Sequence, residues 1–213
     1  KSYEMSKNKL KKFAEMETFH NVFQCGAQEV ETSAVLAMAG HWRENYFKND
    51  NPIVLELGCG RGEYTVGLAK RNPDKNYIGI DIKGARMWAG AKQAELEGIN
   101  NVAFLRTNIE MLCRCFAIDE VDEIWITFPD PQMKKVTKRL TSTYFMERYR
   151  QVLRPDGVIH LKTDSPFLYT YTEAMVLENN YPIVVNTNNL YEADASPKIE
   201  EARCLQTHYE KQW

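Results

Sequence analysis

The sequence predicts an α/β fold, a mostly parallel central sheet with helices on both faces, and three observations predict it. Short apolar runs alternate with helix-period segments from Ile53 to Asn179, the pattern of repeated strand–helix–strand units. The first run, Val54-Leu55-Glu56-Leu57, passes straight into a turn spaced Gly58-x-Gly60-x-Gly62 before a helical segment begins. The second, Tyr77-Ile78-Gly79-Ile80, ends in Asp81, where a carboxylate can accept from both hydroxyls of a ribose.

Taken in order, the first fifty residues read as helical or irregular: a lysine-rich opening with Lys7, Lys9, Lys11 and Lys12, then a helix from Ala27 to Phe47 packed on the sheet. The opening fits a solvated terminus and an RNA-contacting arm equally well. Strand one spans Ile53–Leu57, and the helix Glu63–Lys70 is broken by Asn72-Pro73-Asp74. Strand two, Tyr77–Asp81, precedes a helix from Gly84 to Glu97 that stops at Gly98, the residue type suited to a left-handed C-terminal cap. Strand three is Val102–Arg106, with a short helix near Glu110–Phe116, and strand four is Glu123–Phe128. A polar loop leads to a helix at Tyr144–Leu153; Pro155-Asp156-Gly157 predicts a turn and Val158–Thr163 the fifth strand. A helix at Phe167–Asn179 and closing strands at Ile183–Asn186 and Cys204–Tyr209 complete the pattern. Residues 1–50 thus form an N-terminal helical or flexible extension, and residues 51–213 a single domain.

Composition narrows the classes. A chain of 213 residues suffices for one α/β domain with a core, and 44% hydrophobic residues exclude a disordered chain. No apolar run reaches membrane-span length and no leader pattern opens the sequence, so a soluble, cytoplasmic protein is expected. The chain opens at Lys1 without a methionine, so residues are expected ahead of it. Cys25, Cys59, Cys113, Cys115 and Cys204 include no Cys-x-x-Cys pair, which predicts reduced thiols and no metal site. With a net charge of −2, any surface for nucleic acid must be local.

The identity of the cofactor turns on charge. A dinucleotide fold wants G-x-G-x-x-G, so that a pyrophosphate rests on the helix N-terminus. Here Glu63 occupies the place of the last glycine and Glu56 precedes the turn. Two carboxylates repel a pyrophosphate and suit a cationic ligand without phosphate. S-adenosylmethionine, with its sulfonium and amino group, is such a ligand, and a methyltransferase is favoured over a nicotinamide-dependent dehydrogenase.

In open α/β sheets ligands sit beyond the carboxyl ends of the strands. Those ends carry Glu56, Asp81, Thr107-Asn108, Pro129-Asp130 and Thr163-Asp164. Asn108 can meet the edge of adenine or cap the helix that follows. In Phe128-Pro129-Asp130-Pro131 the prolines bias Phe128 and Asp130 toward extended backbone and hold the Asp130 carboxylate on a stiff arm. Lys134, Lys135, Lys138 and Arg139 follow at once, a basic run that fits a solvated charged loop or a grip on RNA phosphates, the place beside Asp130 favouring the second.

Leu55-Glu56-Leu57-Gly58-Cys59-Gly60-Arg61-Gly62, Gly79-Ile80-Asp81, Phe128-Pro129-Asp130-Pro131 with Lys134-Lys135, Lys162-Thr163-Asp164 and Thr207-His208-Tyr209-Glu210 occur in that order. Together they resemble the bacterial tRNA (guanine-N7-)-methyltransferase family from about Asn51 onward. The resemblance implies a Rossmann-like class I methyltransferase that methylates a guanine in the tRNA variable loop, of the position-46 type. It implies cofactor contacts at Glu56, Asp81, Asn108 and Asp130, joined by Gly58 and Gly60 of the glycine turn. It implies substrate contacts at Lys134, Asp164, Thr207, His208, Tyr209 and Glu210. Two departures from the family pattern stand out: in the basic loop Gln132 stands where Trp is usual and Val136-Thr137 replaces an Arg-His pair with one residue fewer, and Asn108 replaces Asp. The grip on RNA is therefore expected to differ in detail.

Guanine N7 carries a free lone pair, so the enzyme mainly aligns nitrogen, methyl and sulfur. Asp130 is the expected catalytic residue, stabilising the charge that grows on the base and able to accept from the guanine N1 and N2 protons; Asp164 could read the same edge. Extrusion of the base from folded tRNA is expected. The rival readings are a methyltransferase acting on another RNA or a small molecule, and a non-catalytic RNA-binding protein of the same fold.

Overall fold

The computed structural model describes residues 2–24 and 37–190. Six parallel strands form one sheet in the order β1-β4-β3-β2-β5-β6: β1 Val22–Gln24, β2 Ile53–Leu57, β3 Asn76–Asp81, β4 Val102–Arg106, β5 Val121–Thr127 and β6 Leu153–Lys162. Helices accompany it among the described residues: α1 Ser2–Met16, α2 Glu63–Arg71, α3 Gly84–Glu97, α4 Leu112–Cys115, α5 Thr143–Val152 and α6 Pro166–Glu178. The expected α/β class and parallel sheet are observed.

Strand alternation distributes two cores. Ile53, Leu55 and Leu57 of β2 face the same side as Ile78, Ile80, Ala103, Leu105, Ile124 and Ile126, where Trp42, Phe47, Leu112, Phe145 and Tyr149 cover them. Val54 faces the other side with Tyr77, Val102, Phe104 and Trp125, under Tyr64, Leu68, Met87, Ala91 and Met16. Every residue of β2 is buried, as a central strand covered on both faces requires.

Helix ends follow local chemistry. Glu63 opens α2 while Lys70 and Arg71 close it, each matching the sign of the nearby dipole end. Gly98 adopts φ 65 after α3 and its N–H reaches Ala94 O and Glu95 O, the αL stop the sequence predicted. Ser165 caps α6 by accepting from Leu168 N, with Pro166 at the first helical position.

Four expectations change. The first fifty residues do more than extend the domain: β1 pairs with β4, Trp42 and Phe47 enter the core, and α1 docks on α3, where Glu15 accepts from Trp88 Nε1 at 2.8 Å and Lys92 Nζ at 3.0 Å. Residues 42–47 form a π-helical turn rather than the end of an α-helix, and residues 27–36 of the predicted Ala27–Phe47 helix lie outside the described residues. Pro155-Asp156-Gly157 falls within β6 as a bulge: β5 advances from Val121 to Glu123 while β6 advances from Leu153 to Val158, with Asp156 at φ 65. Ile183–Asn186 is not a strand; Ile183, Val184 and Val185 are exposed, and β6 pairs only with β5 among the described residues. Cys204–Tyr209 lies outside the described residues.

Candidate active site

Chain order runs outward from β2 through β3 and β4 on one side and through β5 and β6 on the other. The switch point therefore lies between the carboxyl ends of β2 and β5, where open α/β sheets bind ligands. A cleft of about 270 Å³ opens there, lined among others by Glu56, Gly58, Gly60, Tyr64, Thr127 and Asp130.

The glycine turn is built for close approach. Gly58, Gly60 and Gly62 take φ values of 71, 55 and 81, a region costly for residues with a Cβ. Gly58 and Cys59 donate their N–H groups to Ile80 O at 2.8 and 3.0 Å. A Cβ on Gly58 or Gly60 would meet nothing within 4 Å, so both border open space. Gly62 differs: its Cβ would lie 2.6 Å from Phe104 Cε1, so it serves the packing of α2 and α3 on the sheet.

Glu56 lines the cleft yet is 2% exposed. Its Oε1 accepts from Thr65 Oγ1 at 2.5 Å, and its other oxygen accepts a short bond from the Thr127 hydroxyl. Burial pushes its carboxyl up to about 7 against the opposing pull of both hydroxyls, with Asp81 adding a smaller upward push. Cys59 is buried in the same turn, and burial first, then Glu56 and Asp81, raises its thiol well above the usual range. It is a protonated packing residue rather than a nucleophile.

Asp81 ends β3 outside the cleft wall and organises it instead. Its Oδ2 accepts from Gly60 N and its Oδ1 from Lys83 N, both at 2.9 Å. Asn108 caps the short helix after β4 by accepting from Glu110 N at 3.2 Å; it is exposed and does not line the cleft.

Asp130 borders the cleft and is exposed, its Oδ1 accepting from Gln132 N at 2.9 Å. Phe128 corrects the expectation of extended backbone: its φ is 47, and its N–H donates to Lys162 O at 2.7 Å. A bulky residue in that region is strained, and the bond to β6 helps to hold it there. Lys162 is 7% exposed, its ammonium 5.3 Å from the Tyr64 ring centroid and 5.8 Å from that of Phe128.

The basic loop is not four equivalent cations. Lys134 and Lys135 are exposed, Lys138 pairs with Glu110 at 2.7 Å, and Arg139 is buried. Asp164 is exposed at the end of β6, apart from the cleft lining. Thr207, His208, Tyr209 and Glu210 lie outside the described residues. Sequence reasoning missed Arg61, Tyr64, Arg86 and Thr127 as cleft residues, whereas Glu63, read from the sequence as a carboxylate beside the cofactor, does line the cleft. Thr127, one residue before the proline motif, was within reach of the strand-end argument. Among the described residues no group of three or more His, Cys, Asp or Glu is placed to hold a metal ion, and no helix is long and apolar enough to cross a membrane.

A buried carboxylate at the cleft, open space beside Gly58 and Gly60, and a carboxylate closing β3 fit an adenosyl amino acid. The switch-point cleft, this glycine turn and the parallel sheet define a class I, S-adenosylmethionine-dependent methyltransferase. A family model described as "Putative methyltransferase" matches residues 50–213. The tRNA (guanine-N(7)-)-methyltransferase of Bacteroides thetaiotaomicron is 56% identical over 209 residues, 98% of this chain and 81% of that protein. The enzyme of the same name from Porphyromonas gingivalis is 59% identical over 201 residues, 93% of this chain and 81% of its own. That of Christiangramia forsetii is 56% identical over 98% of this chain and 92% of its own. A solved antibiotic-related methyltransferase superposes with a TM-score of 0.50 at 17% identity, over 71% of this chain and 74% of its own, a likeness of fold. The chain belongs to the tRNA (guanine-N7-)-methyltransferase family.

Proposed function

We propose that this chain methylates N7 of a guanine in the variable loop of tRNA, at a position-46-type site, in the cytoplasm, with residues 51–213 as its methyltransferase domain. The observation that carries the reading is the pairing of Glu56 and Asp130 on two sides of one switch-point cleft. One carboxylate is placed for a cationic donor and the other for a base becoming cationic.

Glu56 receives the amino group of the methionine moiety, while Arg61 or Arg86, both in the cleft wall, meets its carboxylate. Asp81 holds the ribose hydroxyls and keeps Gly60 in place. Asn108 offers its amide to adenine from the end of β4. S-adenosylmethionine supplies a methyl group already activated by its sulfonium.

Asp130 does the rest by position and charge. Guanine N7 uses its own lone pair, so no base has to remove a proton and the reaction requires no metal. As the N–C bond forms and the C–S bond breaks, positive charge moves onto the purine, and a fixed carboxylate nearby lowers that barrier. Lys134 beside Asp130 holds a tRNA phosphate, Asp164 reads the polar edge of the base, and Thr207 to Glu210 complete the substrate contacts.

The test is incubation with radiolabelled S-adenosylmethionine and unmodified tRNA, followed by nucleoside analysis. 7-Methylguanosine mapped to the variable loop is the expected product. Label in another nucleoside, or none with tRNA, would overturn the reading.

A further inference from the structure

The geometry points to Arg139 as the positioning residue for the loop that presents Asp130, not as a contact to RNA. The inference rests on the role given to Asp130 above.

Arg139 belongs to a run whose neighbours Lys134 to Lys138 are exposed, yet it is 5% exposed itself. Its donors turn inward: Nε reaches Pro131 O at 3.1 Å and Nη2 reaches Met133 O at 3.2 Å. Its guanidinium carbon lies 4.7 Å from the Phe167 ring centroid and 4.4 Å from that of Tyr171. Phe167 and Tyr171 stand four residues apart on α6, so they share one helix face. One side chain thereby ties the segment after Asp130 to the helix that follows Asp164.

The loop needs such a tie. Phe128 and Gln132, on either side of Asp130, have φ values of 47 and 48, and strained backbone persists only where its surroundings over-determine it. Arg139 holds the carbonyls immediately before and after Gln132. Gln132 N in turn donates to the Asp130 carboxylate. The orientation of that carboxylate thus passes through Gln132 to the guanidinium. A planar fork that donates to two carbonyls and stacks on rings is beyond a lysine, although a lysine keeps the charge.

Arg139→Lys separates positioning from charge. The amides of Gln132 and Lys135, bonded to the Asp130 carboxylate and to Gln132 O, are expected to exchange hydrogen at least tenfold faster, with those of α3 unchanged. The single-turnover rate at saturating cofactor and tRNA should fall ten- to a hundredfold, while cofactor Kd and the salt slope of tRNA binding stay as in the wild type. Tyr171→Leu, which leaves the arginine in place, should move exchange and rate the same way, and the double variant should fall short of the product of the two effects. It also carries the test if Arg139→Lys does not fold. Wild-type exchange and rate in Arg139→Lys would overturn the inference, and so would a normal rate with a shallower salt slope, the mark of a phosphate contact. A loosened loop with full turnover in both Arg139→Lys and Asp130→Asn would retire the role of Asp130 while leaving Arg139 as the loop's anchor.

Discussion

The Thr127 hydroxyl at the end of β5 donates to the Glu56 carboxylate on the neighbouring strand β2, and Thr65 of α2 holds the other oxygen. The carboxyl at the head of the switch-point cleft is therefore buried and hydrogen-bonded, and burial pushes it up to about 7 from the usual 4.5. Its folded value lies above its unfolded value, so the native state holds the extra proton between those limits. Stability should fall as pH rises from about 4.5 to 7, by on the order of 3 kcal/mol from this group. Glu56→Gln should remove that slope and be the more stable protein at pH 8. Urea unfolding of both proteins from pH 4.5 to 8 checks it; parallel pH profiles would refute it.

The contact proposed between Glu56 and the cofactor's cationic amino group requires Glu56 ionised, so on that proposal affinity for S-adenosylmethionine should tighten as pH rises through 7. Thr127→Val removes a hydroxyl that pulls the carboxyl down. Affinity at pH 7 should then weaken several-fold, and the rise should move to higher pH. Calorimetric titrations across pH 6 to 8 measure both; identical profiles for the two proteins would break the link between Thr127 and Glu56.

Asp130 both faces the cleft and accepts from Gln132 N, so alanine would remove charge and loop geometry together. Asp130→Asn keeps an acceptor oxygen and loses the charge. Turnover should drop roughly 100- to 1000-fold, the range for losing one electrostatic stabiliser, with cofactor Kd within about threefold, a change of less than about 1 kcal/mol in binding. Near-normal single-turnover rates would take Asp130 out of the chemistry.

Periodicity and caps made much of the fold readable. Ile53–Leu57, Gly84–Glu97 and Val102–Arg106 match their predicted bounds, because apolar strands end on polar residues and Gly98 supplies a left-handed stop. β1 escaped because three half-buried residues carry no period. The Pro155-Asp156-Gly157 signal was real, but the chain bulges there and rejoins β5 instead of starting a new strand. In the site, Glu56 and Asp130 were legible as strand ends. Tyr64 and Arg86 come from α2 and α3, where a cleft-facing position looks like any other helical one. The buried role of Arg139 depends on Phe167 and Tyr171, brought to it only by tertiary packing.

Lys134 is exposed beside the Asp130 loop, whereas Lys138 is tied to Glu110 at 2.7 Å. Lys134→Ala should weaken tRNA binding uniformly across substrates and lower the magnitude of the salt slope by about one. Lys138→Ala should change it less, since its ammonium already has a partner. Binding isotherms at several salt concentrations compare the two; equal slopes for Lys134→Ala and wild type would remove Lys134 from the interface.

The glycine turn divides its labour, and substitution should separate the parts. Gly62 has φ 81, and a Cβ there would press on the Phe104 ring at 2.6 Å and approach Gly90 Cα at 3.3 Å. Gly62→Ala should therefore cost about 2 kcal/mol or more in stability, from backbone strain and overpacking together. Adding Phe104→Leu should recover the packing part and leave the strain. Gly58 has φ 71 but open space around its Cβ position, so Gly58→Ala should cost about 1 kcal/mol in folding while weakening S-adenosylmethionine binding more than Gly62→Ala does at matched folded fraction. Urea midpoints and cofactor titrations on the same samples decide it. If Gly58→Ala bound cofactor as the wild type does, the backbone of that turn would not be the surface the ligand approaches.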